Sequence, residues 1–368
     1  MPYIDQFFDV LIEAGASDLH LGEAQPPKIR RHGEIVPIRE APLSREEMAY
    51  MLSEIAGPER WARFESSGDL DFAYEMNADS RFRCNFLRQT HGYGAVFRLI
   101  PTKIATIEQL GVPQVIKEFG HLRGGLVLVT GPTGSGKSTT LAALLDYINT
   151  NFSRHIVTIE EPIEFVHSNK RSVITQREVP DHSPNFPVAL KGALREDADI
   201  VLVGEMRDLE TIQLALTAAE TGLLVFGTLH TNNARKTVDR MVDVFPSDQQ
   251  SQVRTMLASS LKGVIAQLLL KKTAEAGGGR VAVNEILIVN SAVSAIIREG
   301  ATQKLQDVIV GGKSQGMQFM DDAIWSVMQQ GMVSPHEAYM KAIDKNRFKM
   351  FLPASEADLA NFAGAKAE

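Results

Sequence analysis

Ile4, Phe7, Phe8, Leu11 and Ile12 recur at helical spacing and stop at Gly15, which predicts an opening amphipathic helix. After it the period shortens to two. Lys28 to Ile38 around His32-Gly33, Leu70 to Met76, Arg81 to Gln89, and Ala95 to Ile100 after Gly92-Tyr93-Gly94 read as strands of an antiparallel sheet. Residues 1–100 are therefore expected to form a small α+β domain. The breakers in Ile100-Pro101-Thr102-Lys103 and Leu110-Gly111-Val112-Pro113 place a linker at 101–113.

From 114 to 290 buried apolar runs alternate with helical stretches: Leu126 to Thr130, Ile156 to Ile159, Ile200 to Val203, Leu223 to Thr228 and Val283 to Val289. Such runs spaced by helices predict a parallel sheet covered on both faces, an α/β core. Met256 to Leu270, carrying Lys262 and Gln267, reads as an amphipathic core helix, and Gly277-Gly278-Gly279 as a turn before the last strand. The region 291–368 is helical in pattern as far as about Lys345, with an Ala- and acid-rich tail from Ala354 expected to fray.

A length of 368 residues favours more than one domain, and 44% hydrophobic with 23% charged residues excludes collagen-like, coiled-coil and largely disordered chains. The net charge of −7 shows no basic field for nucleic acid, so no nucleic-acid partner is expected. A single cysteine, Cys84, excludes an intramolecular disulfide and a thiolate zinc cage, and a cytoplasmic location is the default. The N-terminus lacks a basic region followed by an apolar run, and no stretch is long and apolar enough to predict a membrane span.

The chemistry begins at Gly131-Pro132-Thr133-Gly134-Ser135-Gly136-Lys137-Ser138, a G-x-x-x-x-G-K-[ST] phosphate loop, with Thr139 following. Context supports it: Leu126 to Val129 supplies the entering strand, and Leu141, Leu144, Leu145 and Ile148 give the departing helix its apolar face. Glycines allow backbone N–H groups to turn inward around phosphates, and the helix N-terminus adds its positive end. Lys137 is expected to bridge the β- and γ-phosphates of ATP, with Ser138 on Mg²⁺.

Further segments carry acids and a histidine to strand ends, where open α/β sheets place ligands. Glu160, Glu161 and Glu164 follow one buried strand, and clustered carboxylates there suit metal or water handling. Gly204-Glu205 closes another, with Gly204 where an Asp is usual, leaving Glu205 to face the Mg²⁺ shell. Leu223 to Leu229 leads into His230-Thr231-Asn232-Asn233. In the N-terminal region, Arg81, Arg83 and Asn85 share one strand face while Phe82, Cys84 and Phe86 take the other, the core side.

The set GPTGSGKST, TIEEPIEF, DIVLVGEMRD and TLHTNNA, in this order, resembles the Walker A, Asp box, atypical Walker B and His box of the secretion-superfamily ATPases. Within that group it is most similar to the twitching-motility retraction ATPases of type IV pili. ASDLHL, SRFRCNF and GMQFMDDAI have family counterparts too, so the resemblance covers nearly the whole chain. It implies a RecA-like P-loop ATPase domain, a PAS-like N-terminal domain and a helical C-terminal region. It further implies a cytoplasmic homo-hexameric ring, peripheral to the inner membrane at the pilus base, that hydrolyses ATP to ADP and acts on a membrane platform protein.

By the same resemblance Glu164 orients or activates the attacking water, with Glu160 a second candidate. Glu205 holds Mg²⁺ through water and His230 senses the γ-phosphate. Arg81 and Arg83 supply cations to an ATP site as the ring closes, and Arg195 and Arg207 are weaker candidates for that work. Extension ATPases of the superfamily generally carry a longer N-terminal region and a four-cysteine zinc motif, so a single cysteine points to the retraction type. One segment departs from that type: where retraction ATPases have Ala-Ile-Arg-Asn-Leu-Ile-Arg-Glu, this chain has Ala292-Val293-Ser294-Ala295-Ile296-Ile297-Arg298-Glu299. Two readings follow, a motor that hydrolyses ATP and a nucleotide-loaded accessory paralogue that supports a principal retraction ATPase.

Overall fold

The structure, a computed structural model, describes residues 2–31, 34–77, 80–100 and 103–352. The expected turn at His32-Gly33, the Pro101-Thr102 part of the linker and the tail from Ala354 lie outside the described residues. The chain divides into two compact units, one running to Lys103 and including Glu161–Val166, the other made of Ile104–Glu160 and the chain from His167 onward. The Asp-box segment Glu161–Val166, expected within the ATPase core, thus groups with the N-terminal unit.

In the N-terminal unit, helix α1 (Asp5–Glu13) buries Phe7, Phe8 and Leu11, and Gly15 adopts the left-handed φ of +59° that ends it. Ile12, expected on the buried face, is 38% exposed. Strands β1 (Asp18–Gly22), β2 (Lys28–Arg31) and β3 (Glu34–Pro37) precede α2 (Arg45–Ser67), and β4 (Asp69–Asn77), β5 (Ser80–Gln89) and β6 (Gly92–Ile100) follow it. They form one antiparallel sheet in the order β3-β2-β1-β6-β5-β4. Phe82, Cys84 and Phe86 of β5 are fully buried, and Phe8 stacks on Phe82 with ring centroids 3.9 Å apart. The period-two expectation for β5 holds, Cys84 included.

Helix α2 and strand β1 escaped the sequence reading. The start of α2 was nonetheless encoded: Ser44 Oγ accepts from Glu47 N at 3.1 Å while Glu47 Oε2 accepts from Ser44 N at 2.7 Å, a reciprocal capping box. What hid the helix is Gly57-Pro58, where Gly57 has φ +72° and the helix kinks.

The second unit contains α3 (Ile107–Leu110), β7 (Gly125–Thr130), α4 (Lys137–Asn151), β8 (His155–Glu160), β9 (Val173–Glu178), α5 (Phe186–Ala193), β10 (Ile200–Val203), α6 (Leu209–Glu220) and β11 (Leu224–Leu229). Then come α7 (Ala234–Asp243), α8 (Gln250–Ser260), β12 (Leu261–Lys271), β13 (Arg280–Ile288), α9 (Ser291–Glu299), α10 (Leu305–Gly311), α11 (Met320–Gln329), α12 (Pro335–Lys341) and α13 (Lys345–Lys349). The sheet order is β13-β12-β7-β11-β10-β8-β9, parallel throughout except for β13. Every residue of β7, β10 and β11 is buried, as expected of strands covered on both faces.

Two expectations for this unit need correction. Met256 to Leu270 is not one helix: α8 ends at Ser260, and β12 runs from Leu261 between β7 and β13. The run Leu261 to Leu270 is apolar on both sides, so it suits a strand inside a sheet, and only the flanking strands supply its ladder. Val283 to Val289 belongs to a strand that lies antiparallel to β12, because the Gly277-Gly278-Gly279 turn, all three at positive φ, reverses the chain directly.

The C-terminal helices pack on β12 and β13 through Met320, Ile324, Ala338 and Phe348. Asp322 of α11 ties this region together, pairing with Lys313 and Arg347 at 2.6 Å each. Burial pushes its carboxyl up, but these two cations outweigh burial and hold it below its ordinary value. A depressed folded value means that the stabilisation is present above the unfolded value, roughly 3.9, and is lost as pH falls through the folded one. Asp322→Asn is expected to lower stability by about 1 kcal/mol at neutral pH, with the gap to wild type closing in acid. Urea midpoints at the two pH values check this, and an undiminished gap in acid contradicts it.

Candidate active site

The carboxyl ends of four adjacent strands, β7, β11, β10 and β8, carry the phosphate loop, His230, Glu205 and Glu160 respectively. A doubly covered parallel sheet places its strand ends together along one edge, the usual ligand position in such folds. Residues separated by about a hundred positions in sequence thereby share one edge.

The loop from Gly131 to Gly136 leaves β7 and enters α4 at Lys137, with Gly131, Gly134 and Gly136 at φ +147°, +77° and +84°. Gly131 has no room for a side chain, since a Cβ there would stand 2.3 Å from the Gln267 carbonyl oxygen. Lys137 Nζ donates to the carbonyls of Gly131 at 2.8 Å and Pro132 at 3.2 Å, so its ammonium is folded back over the loop. Ser138 and Thr139 lie half-buried in the first turn of α4, and the Ser135 hydroxyl is buried without a hydrogen-bond partner among the described residues. An unpartnered hydroxyl beside a helix N-terminus suits a bound phosphate oxygen.

Glu205 is the electrostatic centre of the neighbouring strand ends. Arg207 Nη2 donates to its Oε2 at 2.6 Å, and His230 Nε2 lies 2.9 Å from its Oε1. Burial pushes the Glu205 carboxyl up, but Arg207 and His230 outweigh that and hold it below its ordinary value. Arg207, a weaker candidate from sequence, is therefore Glu205's ion-pair partner. A side chain at Gly204 would put its Cβ 3.0 Å from the Ile159 carbonyl oxygen and 3.2 Å from the Glu160 Cα, which explains glycine where an aspartate is usual. Glu160 accepts from Thr158 Oγ1 at 2.7 Å and from Gln176 Nε2 at 3.4 Å.

One candidate of this unit does not reach this edge. Arg195 follows α5 and precedes the amino end of β10, so it is exposed at the opposite edge of the same sheet, its Nε donating to the Lys191 carbonyl at 3.3 Å. Arg81 and Arg83 belong to the N-terminal unit, as does Glu164. There Arg83 grips Asp71 through Nε at 3.3 Å and Nη2 at 2.6 Å, and Arg81 lies 3.6 Å from Glu75. Asp71 first, and then Glu164 and Glu161, hold the Arg83 guanidinium more firmly protonated than usual.

Sequence reasoning missed the supports of the His box. Thr237 Oγ1 bonds the Asn233 carbonyl and lies 2.7 Å from Thr231 Oγ1, and the Asn233 side chain caps α7 by accepting from Lys236 N at 2.8 Å. Glu285 of β13, 2% exposed, accepts from Ala234 N at 2.8 Å and Met320 N at 3.3 Å. The cap was visible as Asn233 before a helical run, whereas Glu285 gave no local sign.

A family model described as type II/IV secretion system protein matches residues 1–340. The chain is 50% identical to the type IV pilus retraction ATPase PilT of Pseudomonas aeruginosa over 89% of its own length and 94% of that protein's. It is 34% identical to the type IV pilus ATPase PilU of the same organism, over 96% of this chain and 92% of the other. The crystal structure of the pilus retraction motor PilT with bound ADP superimposes with a TM-score of 0.86 at 42% identity, covering 93% of this chain and 97% of that one. The sheet edge, its phosphate loop and these likenesses agree: the chain belongs to the type II/IV secretion system protein family, within its retraction-ATPase branch.

Proposed function

We propose that this chain is the ATP-driven motor of type IV pilus retraction, working as a homo-hexameric ring on an inner-membrane platform protein at the cytoplasmic face of the pilus base. The observation that carries the reading is the convergence of the phosphate loop, Glu205, His230 and Glu160 on one sheet edge. Greater identity to the retraction ATPase than to its PilU relative favours the principal motor over an accessory paralogue, although Ser294 and Ala295 of α9 retain the departure noted above. Among the described residues no helix is long and apolar enough to cross a membrane.

In the reaction, Lys137 and the N-terminus of α4 neutralise the phosphates of ATP. Ser138 and Glu205 offer the hard oxygen donors that suit Mg²⁺, which when bound supplies further neutralisation of phosphate charge. Arg207 and His230 keep Glu205 ionised for that role, and in this reading His230 responds to the γ-phosphate. Glu164 orients the attacking water and receives its proton. Arg81 and Arg83 act on the nucleotide of the adjoining subunit.

The function is tested in a piliated bacterium from which this chain has been deleted. Cells are expected to keep surface pili and lose twitching, with motility restored by the wild-type chain and not by Lys137→Ala. Undiminished twitching in the deletion strain would contradict the reading. The shared site has its own test in vitro. Arg83→Ala and Lys137→Ala, each inactive alone, are expected to regain turnover when mixed before assembly, because an intact loop then meets an intact arginine; a mixture as inactive as its parts rules out action in trans.

A further inference from the structure

The strand β12, which the sequence pattern disguised as helix, ends its pairing with β7 where Ala266 stands level with Thr130, the last residue of β7. Gln267 is the next position, at the start of the phosphate loop, and it is 1% exposed. Its Nε2 donates to the Ser135 carbonyl at 2.7 Å, and its Oε1 accepts from Thr140 Oγ1 at 2.8 Å and from Asn284 Nδ2 at 2.9 Å. The side chain's orientation is unambiguous. A backbone carbonyl only accepts, so Ser135 must face the Gln267 nitrogen, which turns the Gln267 oxygen toward Thr140 and Asn284.

The consequence lies in the peptide joining Ser135 to Gly136. A trans peptide is planar, with its C=O and N–H pointing in opposite directions. A carbonyl drawn down onto Gln267 therefore aims the Gly136 N–H to the other side, the concave side on which a phosphate is cradled. The packing is close on both flanks: a Cβ at Gly136 would stand 2.9 Å from Gln267 Nε2, and one at Gly131 would stand 2.3 Å from the Gln267 carbonyl oxygen. The support continues outward, for Asn284 is the cross-strand partner of Gln267 on β13, and its own carbonyl accepts from Gln318 Nε2 at 2.8 Å.

We propose that Gln267 is a positioning residue of the nucleotide site, holding the Ser135–Gly136 peptide in the orientation that presents its N–H to the phosphates. Gln267→Met tests the claim without adding charge, because methionine has a similar length and lacks the donor to Ser135. In the purified full chain, ADP affinity is expected to fall about tenfold or more and the KM for ATP to rise in parallel, with kcat at saturation held within about threefold. Asn284→Leu removes one donor to the Gln267 oxygen and leaves the bond to Ser135, so ADP affinity there should change less than about threefold.

The inference is overturned by Gln267→Met binding ADP like wild type, or by Asn284→Leu losing as much affinity as Gln267→Met, since the effect would then follow the integrity of the buried polar cluster. Should Gln267→Met fail to fold, Gln267→Leu, also uncharged and without the donor, carries the same expectation. The inference rests on the phosphate loop as the nucleotide site, for which Lys137→Ala is the control. If Lys137→Ala binds ADP undiminished, the loop assignment itself fails; if only the Gln267 variants do, the loop stands and the positioning role does not.

Discussion

Lys137→Ala is expected to cut steady-state ATP hydrolysis by at least about a hundredfold. The ammonium is folded back over the loop, donating to the Gly131 and Pro132 carbonyls at 2.8 and 3.2 Å. On bound ATP that charge would act where negative charge builds up on the transferred group. Alanine leaves the helix intact, because Ala is the strongest helix former and Lys137 is the first residue of α4. Phosphate release at saturating ATP checks the expectation, and turnover above about a tenth of wild type would contradict it.

Glu164→Gln is expected to lower kcat by roughly 10²–10⁴ while leaving ADP affinity within about threefold of wild type. Glutamine has the shape of glutamate but cannot take up a proton from water, so a group acting only as a base loses the chemical step and keeps binding. Glu160 is the less suitable acid, since its carboxylate already accepts from Thr158 and Gln176 at the end of β8. Pairing each variant's kcat with its ADP affinity separates the roles. Loss of binding in Glu164→Gln would make it a structural acid, and a larger kcat loss in Glu160→Gln would move the base to that position.

The two effects differ in kind. Without Lys137 the enzyme is expected to lose contact with the phosphates and hence both affinity and turnover, whereas without the Glu164 carboxylate it is expected to retain a loaded site that does not fire. A ring built from Glu164→Gln subunits should therefore accumulate bound ATP, and one built from Lys137→Ala subunits should not.

Much of the nucleotide site was legible because its chemistry is local in sequence. The glycines of the loop, Lys137 and Ser138 lie within eight consecutive positions, and the strand before and helix after them are marked by their own apolar periods. The same holds for the alternation of Phe82, Cys84 and Phe86 against Arg81 and Arg83. Positive φ at Gly131, Gly134 and Gly136, and again at Gly15, follows from turns that other residues would strain.

Other features were decided only by partners distant along the chain. An apolar run such as Leu261 to Leu270 satisfies either a buried helix or a buried strand, and it is a strand here because β7 and β13 lie on either side to take up its backbone groups. Once it is a strand, Gln267 faces the phosphate loop, Asn284 falls opposite it, and Glu285 meets the N-termini of α7 and α11. Arg195 and Arg207, equivalent as sequence, are parted to opposite edges of one sheet by the direction of β10. Local spacing thus determined the conformation of the phosphate loop, because a tight loop needs only its own residues; tertiary pairing decided which buried polar groups pack against it, because a hydrogen bond across 132 positions leaves no period in the sequence.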